Sequence, residues 1–371
     1  MRKRKYYNLI LMAMAVCIFM IAGCGSTEEE EVVQNGTEGG EAVQVAAEGM
    51  SIFLEHPDTG LITDIRLGEF DGNPGEDIGF SGEAGFGTAD RTGEVTFFVN
   101  VPPFTGWSVI VDIENDGLCE QLIRVTLFGN PALYDHSGNM VMDFDREIVA
   151  SSPACGDIDG DGENEIIVPT LIEDGIMWMT GDGEELFSEG ANRIWHAEVV
   201  DVDGDGTGEI VYCDGRGHLN VKTAAGEVKV EADPGGMNGP YVDNFSVINW
   251  PDKDGATHVV VAGGLKLWLI DMSVEIVRSV EIMETGEDDL FYNNACTAVL
   301  DEDGDLYVAC LTENVTAGGL SLYIWGPDDS LYAEEQLDER SWGLCAVDLD
   351  GDGIDTILIG QENRIMRYDT E

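Results

Sequence analysis

The sequence predicts an all-β fold, a seven-bladed β-propeller of four-stranded blades closed by an N-terminal strand. Three observations carry that expectation: an acidic loop motif recurs seven times, short β-branched runs parted by turn residues follow each recurrence, and no stretch holds a helical period.

The motif is clearest in Asp157-Ile-Asp-Gly-Asp-Gly-Glu-Asn-Glu165, in Asp201-Val-Asp-Gly-Asp-Gly-Thr-Gly-Glu209 and in Asp348-Leu-Asp-Gly-Asp-Gly-Ile-Asp355. Looser copies begin at Glu69, Asp112, Asp252 and Asp301. Starts at 69, 112, 157, 201, 252, 301 and 348 define units of near-constant length. Within each unit an apolar run enters the loop, a β-branched run leaves it, and short strands follow. In the third unit these are Glu165 to Thr170, Gly175 to Thr180, a Gly-Asp-Gly turn at 181–183, and Glu185 to Ser188. Four strands in about 45 residues is the size of a propeller blade.

The final unit has room after its loop only for Thr356 to Gly360 and Arg364 to Tyr368. It therefore lacks an outer strand. Ser51 to Glu55 precedes the first unit and belongs to none, so it is expected to supply that strand and remove the exposed edges of the array. A linear solenoid is the architectural alternative.

In the loops, carboxylates at positions 1, 3, 5 and 9 can converge on one point, with glycines at 4 and 6 allowing the turn. Such a set of hard oxygens suits calcium, which takes six to eight oxygen ligands. The bland alternative is an Asx-rich turn without metal. An EF-hand would need a bidentate Glu at position 12, where Val168, Tyr212 and Ile359 stand instead, so that motif is excluded.

With these residues in view, the chain resembles the FG-GAP or VCBS repeat family, integrin α-subunit propellers among them, over about residues 50–371. The resemblance implies calcium in the loop between the first and second strands of a blade, on its lower face. The implied ligands are Asp157, Asp159, Asp161 and Glu165 in one loop and Asp201, Asp203, Asp205 and Glu209 in the next. The loop of Asp348, Asp350 and Asp352 departs by placing Asp355 at position 8 and Thr356 at position 9, which weakens its closing ligand. Asp112, Glu114, Asp116 and Glu120 keep a full set of oxygens, and Glu69, Asp71, Asn73 and Asp77 accommodate Pro74. The units at Asp252 and Asp301 lack the later ligands and are expected to hold no metal.

The N-terminus gives the compartment. Arg2 to Lys5 form a basic cluster ahead of an apolar run from Tyr6 to Ile21, a secretory signal over residues 1–23. It ends in Ile21-Ala22-Gly23-Cys24, which resembles a bacterial lipobox and implies a lipidated Cys24. The apolar run is short for a bilayer span of roughly 20 residues. Residues 24–49, acidic and without aromatics, are expected to be a flexible tether. The protein would sit at the extracytoplasmic face of the bacterial cell membrane, a monomer reaching the membrane through its lipid alone.

Charge narrows the partners. The formal charge of −55 becomes −59 once cleavage removes four basic residues and no acid. Nucleic acid and anionic lipid surfaces are excluded as partners, and self-repulsion of this size calls for bound cations. Six cysteines remain beyond Cys24 (119, 155, 213, 296, 310 and 345), in apolar surroundings without a CxxC pair, and read as buried free thiols.

No motif of metalloprotease, serine hydrolase or P-loop type is present, and the five histidines fall at unrelated repeat positions, so no catalytic residue is assigned and the protein is not expected to be an enzyme. The segments leading into the innermost strands, at the upper mouth opposite the acidic loops, are rich in large side chains: Trp107, Arg193, Trp195, His196, Tyr241, Tyr292, Asn294, Arg340 and Trp342. Together they suit a sugar or a protein segment; singly, each is explained by packing between blades. The function expected is adhesion or binding of an extracellular glycan or protein ligand. Its rivals are a lyase-type polysaccharide-degrading enzyme and a purely structural or assembly lipoprotein.

Overall fold

A computed structural model describes residues 50–70, 77–100, 107–112, 119, 121–125, 132–135, 138–143, 153–169, 175–190, 194–214, 218–232, 245–251, 257–263, 266–271, 276–281, 291–314, 319–328 and 330–369. The signal, the lipobox with Cys24 and the tether lie outside these residues.

Every regular element among them is a β-strand. After β1 (Met50–Glu55), a first four-stranded sheet holds β2 (Ile62–Gly68), β3 (Asp77–Gly82), β4 (Gly85–Ala89) and β5 (Val95–Asn100). The second holds β6 (Trp107–Val111), β7 (Gln121–Val125), β8 (Ala132–Asp135) and β9 (Met140–Asp143). The third holds β10 (Ala154–Gly156), β11 (Glu165–Pro169), β12 (Ile176–Met179) and β13 (Glu185–Glu189), and the fourth β14 (Ile194–Val200), β15 (Glu209–Asp214), β16 (Leu219–Lys222) and β17 (Val228–Ala232). A fifth holds β18 (Phe245–Pro251), β19 (Thr257–Gly263), β20 (Lys266–Asp271) and β21 (Ile276–Glu281). The sixth holds β22 (Phe291–Val299), β23 (Leu306–Asn314), β24 (Leu320–Trp325) and β25 (Leu331–Leu337). Last come β26 (Leu344–Val347), β27 (Thr356–Gln361) and β28 (Arg364–Tyr368), whose fourth strand is β1.

Within each sheet neighbouring strands run antiparallel in sequence order, which short turns permit. The exception is β1, which crosses from the other end of the chain to pair with β28, Met50 opposite Tyr368 and Glu55 opposite Arg364. The β27–β28 turn reinforces the join. Asn363, in the left-handed region at φ 60°, accepts the Gly60 N–H on its side chain and the His56 N–H on its carbonyl.

First strands of successive sheets pack side by side, β2 on β6, β6 on β10, β10 on β14, β14 on β18, β18 on β22 and β22 on β26, while β26 packs on β2. Four-stranded antiparallel meanders arranged in this way are the architecture of a β-propeller. The core lies between sheets. One apolar cluster joins Ile158, Ile167 and Trp178 of the third unit to Ile194, Ile210 and Tyr212 of the fourth, and another joins Ile78 and Phe80 to Leu358 and Ile365. Middle strands are therefore covered on both faces, which is why β11 and β12 read as continuous apolar runs rather than alternating ones. Outer strands such as β13 and β25 alternate. Trp178, fully buried, stacks on Phe187 and donates its indole N–H to the Ala224 carbonyl in the fourth sheet's outer turn, 2.7 Å away.

Candidate functional site

The acidic loops fall between the first and second strands of their sheets: 157–164 joins β10 to β11, 201–208 joins β14 to β15, and 348–355 joins β26 to β27. In all three the position-1 carboxylate folds the loop around itself. Asp157 accepts the N–H groups of Gly160 and Gly162, Asp201 those of Gly204 and Gly206, and Asp348 those of Gly351 and Gly353, at 2.6–3.1 Å. The glycines at positions 4 and 6 have φ between 75° and 91°. Space does not require them, since a Cβ at Gly162, Gly206 or Gly353 would meet nothing within 4 Å; the left-handed backbone does.

The position-9 acid seals the loop from beneath. Glu165 accepts the Ile158 N–H and Glu209 the Val202 N–H, each at 3.0 Å, and each is only 2 % exposed. Asp77 does the same for Phe70 at 3.1 Å, so the first unit repeats this hydrogen bond. These acids stand at the first residue of β11, β15 and β3, and the same strand that carries them runs on into the core.

Among the described residues, three groups of carboxylate oxygens converge to within 4.8 Å of one another: Asp157, Asp159 and Glu165; Asp201, Asp203 and Glu209; Asp348, Asp350 and Asp352. Asp161 and Asp205 stand outside these groups, and each accepts the N–H of position 7 at 2.8 Å. In the Asp157 cluster the carboxylates oppose one another's ionisation. Burial, with the charges of Asp159, Asp161 and Asp157, pushes the Glu165 carboxyl up to about 7 against the pull of the Ile158 N–H. A divalent ion among these oxygens would reverse that balance, and hard carboxylate oxygens are the donors calcium prefers. Asp201 is held below the usual carboxylate range, chiefly by the Gly206 N–H, and so keeps its charge.

Asp355, which stands at position 8 where the other loops have their closing acid at position 9, bonds to the neighbouring sheet. Its carboxylate accepts the Val299 N–H and its own N–H donates to the Val299 carbonyl, both at 2.7 Å, so position 8 ties this loop to β22 of the preceding sheet. The same position does the same work elsewhere. Gly208 N–H donates to the Asp157 carbonyl at 2.9 Å, and the Asn164 side chain donates to the Asp112 carbonyl. Each loop is thereby latched to its predecessor.

A feature that sequence reasoning missed lies in the second cluster. Lys229, on the outer strand β17, sets its Nζ 2.7 Å from Asp203 Oδ2 and 2.5 Å from Glu209 Oε1. Hydrogen bonds to Asp203 and Glu209 hold the ammonium above the ordinary lysine range. Nothing near the motif signals it, because a lysine on an outer strand reads as part of a solvated face.

Asp71, Asn73, Glu114, Asp116 and Glu120 lie outside the described residues, as do Arg193 and Tyr241. Of Trp107, Trp195 and Tyr292 the strand positions alone are described: Trp107 opens β6, Trp195 follows the first residue of β14, and Tyr292 that of β22. Each lies at the end of its strand remote from the acidic loop that follows it.

At that opposite end, three of the expected patch residues come together. The Trp342 carbonyl accepts the Asn294 side-chain N–H at 2.9 Å, and the Arg340 guanidinium lies 5.0 Å from the Trp342 ring centroid. Glu313, which the sequence did not single out, accepts the indole N–H at 2.9 Å. His196 is two sheets away, its Nε2 3.4 Å from Glu198 on the same face of β14. Glu198 in turn feels Arg66 and Asp64 of β2, three sheets back; burial, reinforced by Asp64 and opposed by Arg66, lifts its carboxyl to about 7. The polar alternation of Asp64 and Arg66 along β2 was the available signal for this inner cluster.

The six described cysteines are free thiols, Cys213, Cys310 and Cys345 buried, and burial pushes the Cys155 thiol up to about 12.

No family model matches the chain, and no curated protein matches it. Among solved structures it is similar to BBS1N in complex with ARL6DN, in a crystal soaked with lead, with a TM-score of 0.60 at 11 % identity over 85 % of this chain and 96 % of that one. The mercury-soaked crystal of the same complex gives 0.59 at 10 % identity over 84 % and 93 %. At this identity the likeness shows the propeller fold alone.

Proposed function

We propose that the chain is a calcium-stabilised binding module: a seven-bladed propeller of the FG-GAP or VCBS kind, closed by β1 and held at the extracytoplasmic face of a bacterial membrane by a lipid on Cys24. The observation that carries the reading is the triple recurrence of one loop fold, in which three carboxylates converge within 4.8 Å between the first and second strands of three sheets, a buried glutamate among them in two. The acids at positions 3, 5 and 9 also accept backbone N–H groups of the turn, but carboxylates brought this close repel one another, and a cation between them would relieve that repulsion.

Ring closure is supported by the packing of β26 on β2, by the pairing of β1 with β28 and by the electrostatic reach of Arg66 on β2 to Glu198 on β14. Calcium in this reading is structural. Each ion bound only by the folded chain stabilises it by about 2.7 kcal/mol at a hundred times its dissociation constant. The ligand, a glycan or an extracellular protein segment, would meet the face opposite the loops, where Trp342, Arg340, Asn294 and Glu313 combine an aromatic ring with donors and acceptors.

The test is a thermal melt of the full-length protein with calcium and with chelator, paired with a count of bound calcium. A higher melting temperature with at least two ions bound is expected; identical melts and no bound ion would remove the metal from the reading. Trp342→Ala, screened beside the parent on glycan and protein arrays, should lose binding while keeping its calcium.

A further inference from the structure

Of the three converging clusters, the one after β14 already contains a cation of the chain's own. Lys229 reaches back from β17 so that its ammonium touches Asp203 and Glu209, two of the three carboxylates drawn together there. Strand register identifies what the other two clusters have at the same place. In each sheet the isoleucine that follows loop position 9 faces a residue of the third strand: Ile210 faces Lys222, Ile166 faces Met179 and Ile357 faces Tyr368. Across from those on the outer strand stand Val228, Glu185 and Met50. One residue further along come Lys229, Leu186 and Ser51. Only the first of these can carry a positive charge, so the Asp201 cluster differs from the Asp157 cluster, built from the same loop positions, by a tethered ammonium.

We propose that Lys229 is a built-in counter-ion seated at the divalent-cation position of the loop from Asp201 to Glu209, so that this loop binds calcium only by expelling the lysine and binds it more weakly than the loop from Asp157 to Glu165. The inference rests on the calcium reading of the loops. Physically, the seated ammonium makes two charge-assisted hydrogen bonds, one of them to a glutamate whose side chain is 3 % exposed. It is also held at high effective concentration because it is part of the same sheet. Calcium brings twice the charge and room for six to eight oxygens, so it wins, but at a higher concentration. The handicap should be about tenfold in apparent dissociation constant, ~1.4 kcal/mol. Below that concentration the loop stays neutralised by the lysine and the sheet remains folded; above it, a free ammonium is released on the outer strand.

The test titrates calcium into the full-length protein by calorimetry, comparing the parent with Lys229→Ser and Lys229→Leu, which copy Ser51 and Leu186. One site is expected to tighten about tenfold in both variants, the others keeping their affinity. Lys229 in the unsubstituted protein should also react faster with an amine-selective reagent as calcium saturates, a readout that does not depend on either variant folding. Calcium binding that is the same in all three proteins, or Lys229 reactivity that stays constant while calcium binds, would overturn the proposal and leave the calcium reading standing. Absence of calcium binding from parent and variants alike would remove the calcium reading, and this inference with it.

Discussion

Replacing Asp159 with alanine isolates the metal's contribution from the loop's own architecture. The turn of the Asp157 loop is held by Asp157, which takes the N–H groups of Gly160 and Gly162, and by Glu165, which takes that of Ile158. Asp159 accepts the Asp161 N–H at 3.2 Å in an exposed setting, where water replaces it at little cost. Its charge also adds to the forces that lift Glu165, so in chelator the substitution relieves repulsion. The expected change in melting temperature without calcium is therefore near zero or slightly upward. With calcium at a hundred times its dissociation constant, the ion contributes about 2.7 kcal/mol, most of which disappears if losing one oxygen weakens binding a hundredfold. At ~2 °C per kcal/mol, the lower end for a large domain, the melting temperature in calcium should fall by about 5 °C. Differential scanning calorimetry in millimolar calcium and in chelator reads both numbers. An equal fall in the two conditions would make Asp159 a structural turn residue, and no fall in either would mean that this loop carries no ion. Asp203 is the poorer choice for the same experiment, because its tie to Lys229 is lost together with any ligand role.

Two further outcomes follow from the residues around the loops. Asp355→Ala strands the Val299 N–H and should cost about 1–3 kcal/mol in calcium and in chelator alike, by urea unfolding; a loss seen only in calcium would make Asp355 a metal ligand instead. Glu198 is raised in the folded state from an ordinary value of 4.5 to about 7, so its ionisation opposes folding: its favourable contribution is complete below about pH 4.5 and is lost as pH rises through 7. Its side chain is 30 % exposed, so water screens part of that effect; in chelator, Glu198→Gln should gain on the parent by about 1 kcal/mol as pH rises from roughly 5 to 8, and parallel pH profiles for the two proteins would refute a raised carboxyl beside Asp64 and Arg66.

Much of this was legible in the sequence because it is local. The spacing of Asp157, Asp159 and Glu165 and the glycines between them specify a turn whose bonds span no more than seven residues, and the strands of the third unit fall within a residue or two of where their apolar runs and the Gly181-Asp182-Gly183 turn place them. The missing strand of the last unit was also countable, and β1 supplies it. Where the sequence misled, a residue's neighbour lay in another strand or another sheet. Asp355 reads only as a departure from the loop pattern until β22 is seen beside it. Lys229 looks like solvated surface until β17 folds back over Glu209, twenty positions earlier in the chain. Glu198 and Arg66 are unremarkable strand polars, separated by more than a hundred residues, until the sheets bring β14 and β2 within electrostatic reach. Loop chemistry and strand period are properties of short segments and can be read from them. Which carboxylate meets an ammonium, a backbone N–H or a metal depends on the stacking of sheets, and that is decided by the whole propeller at once.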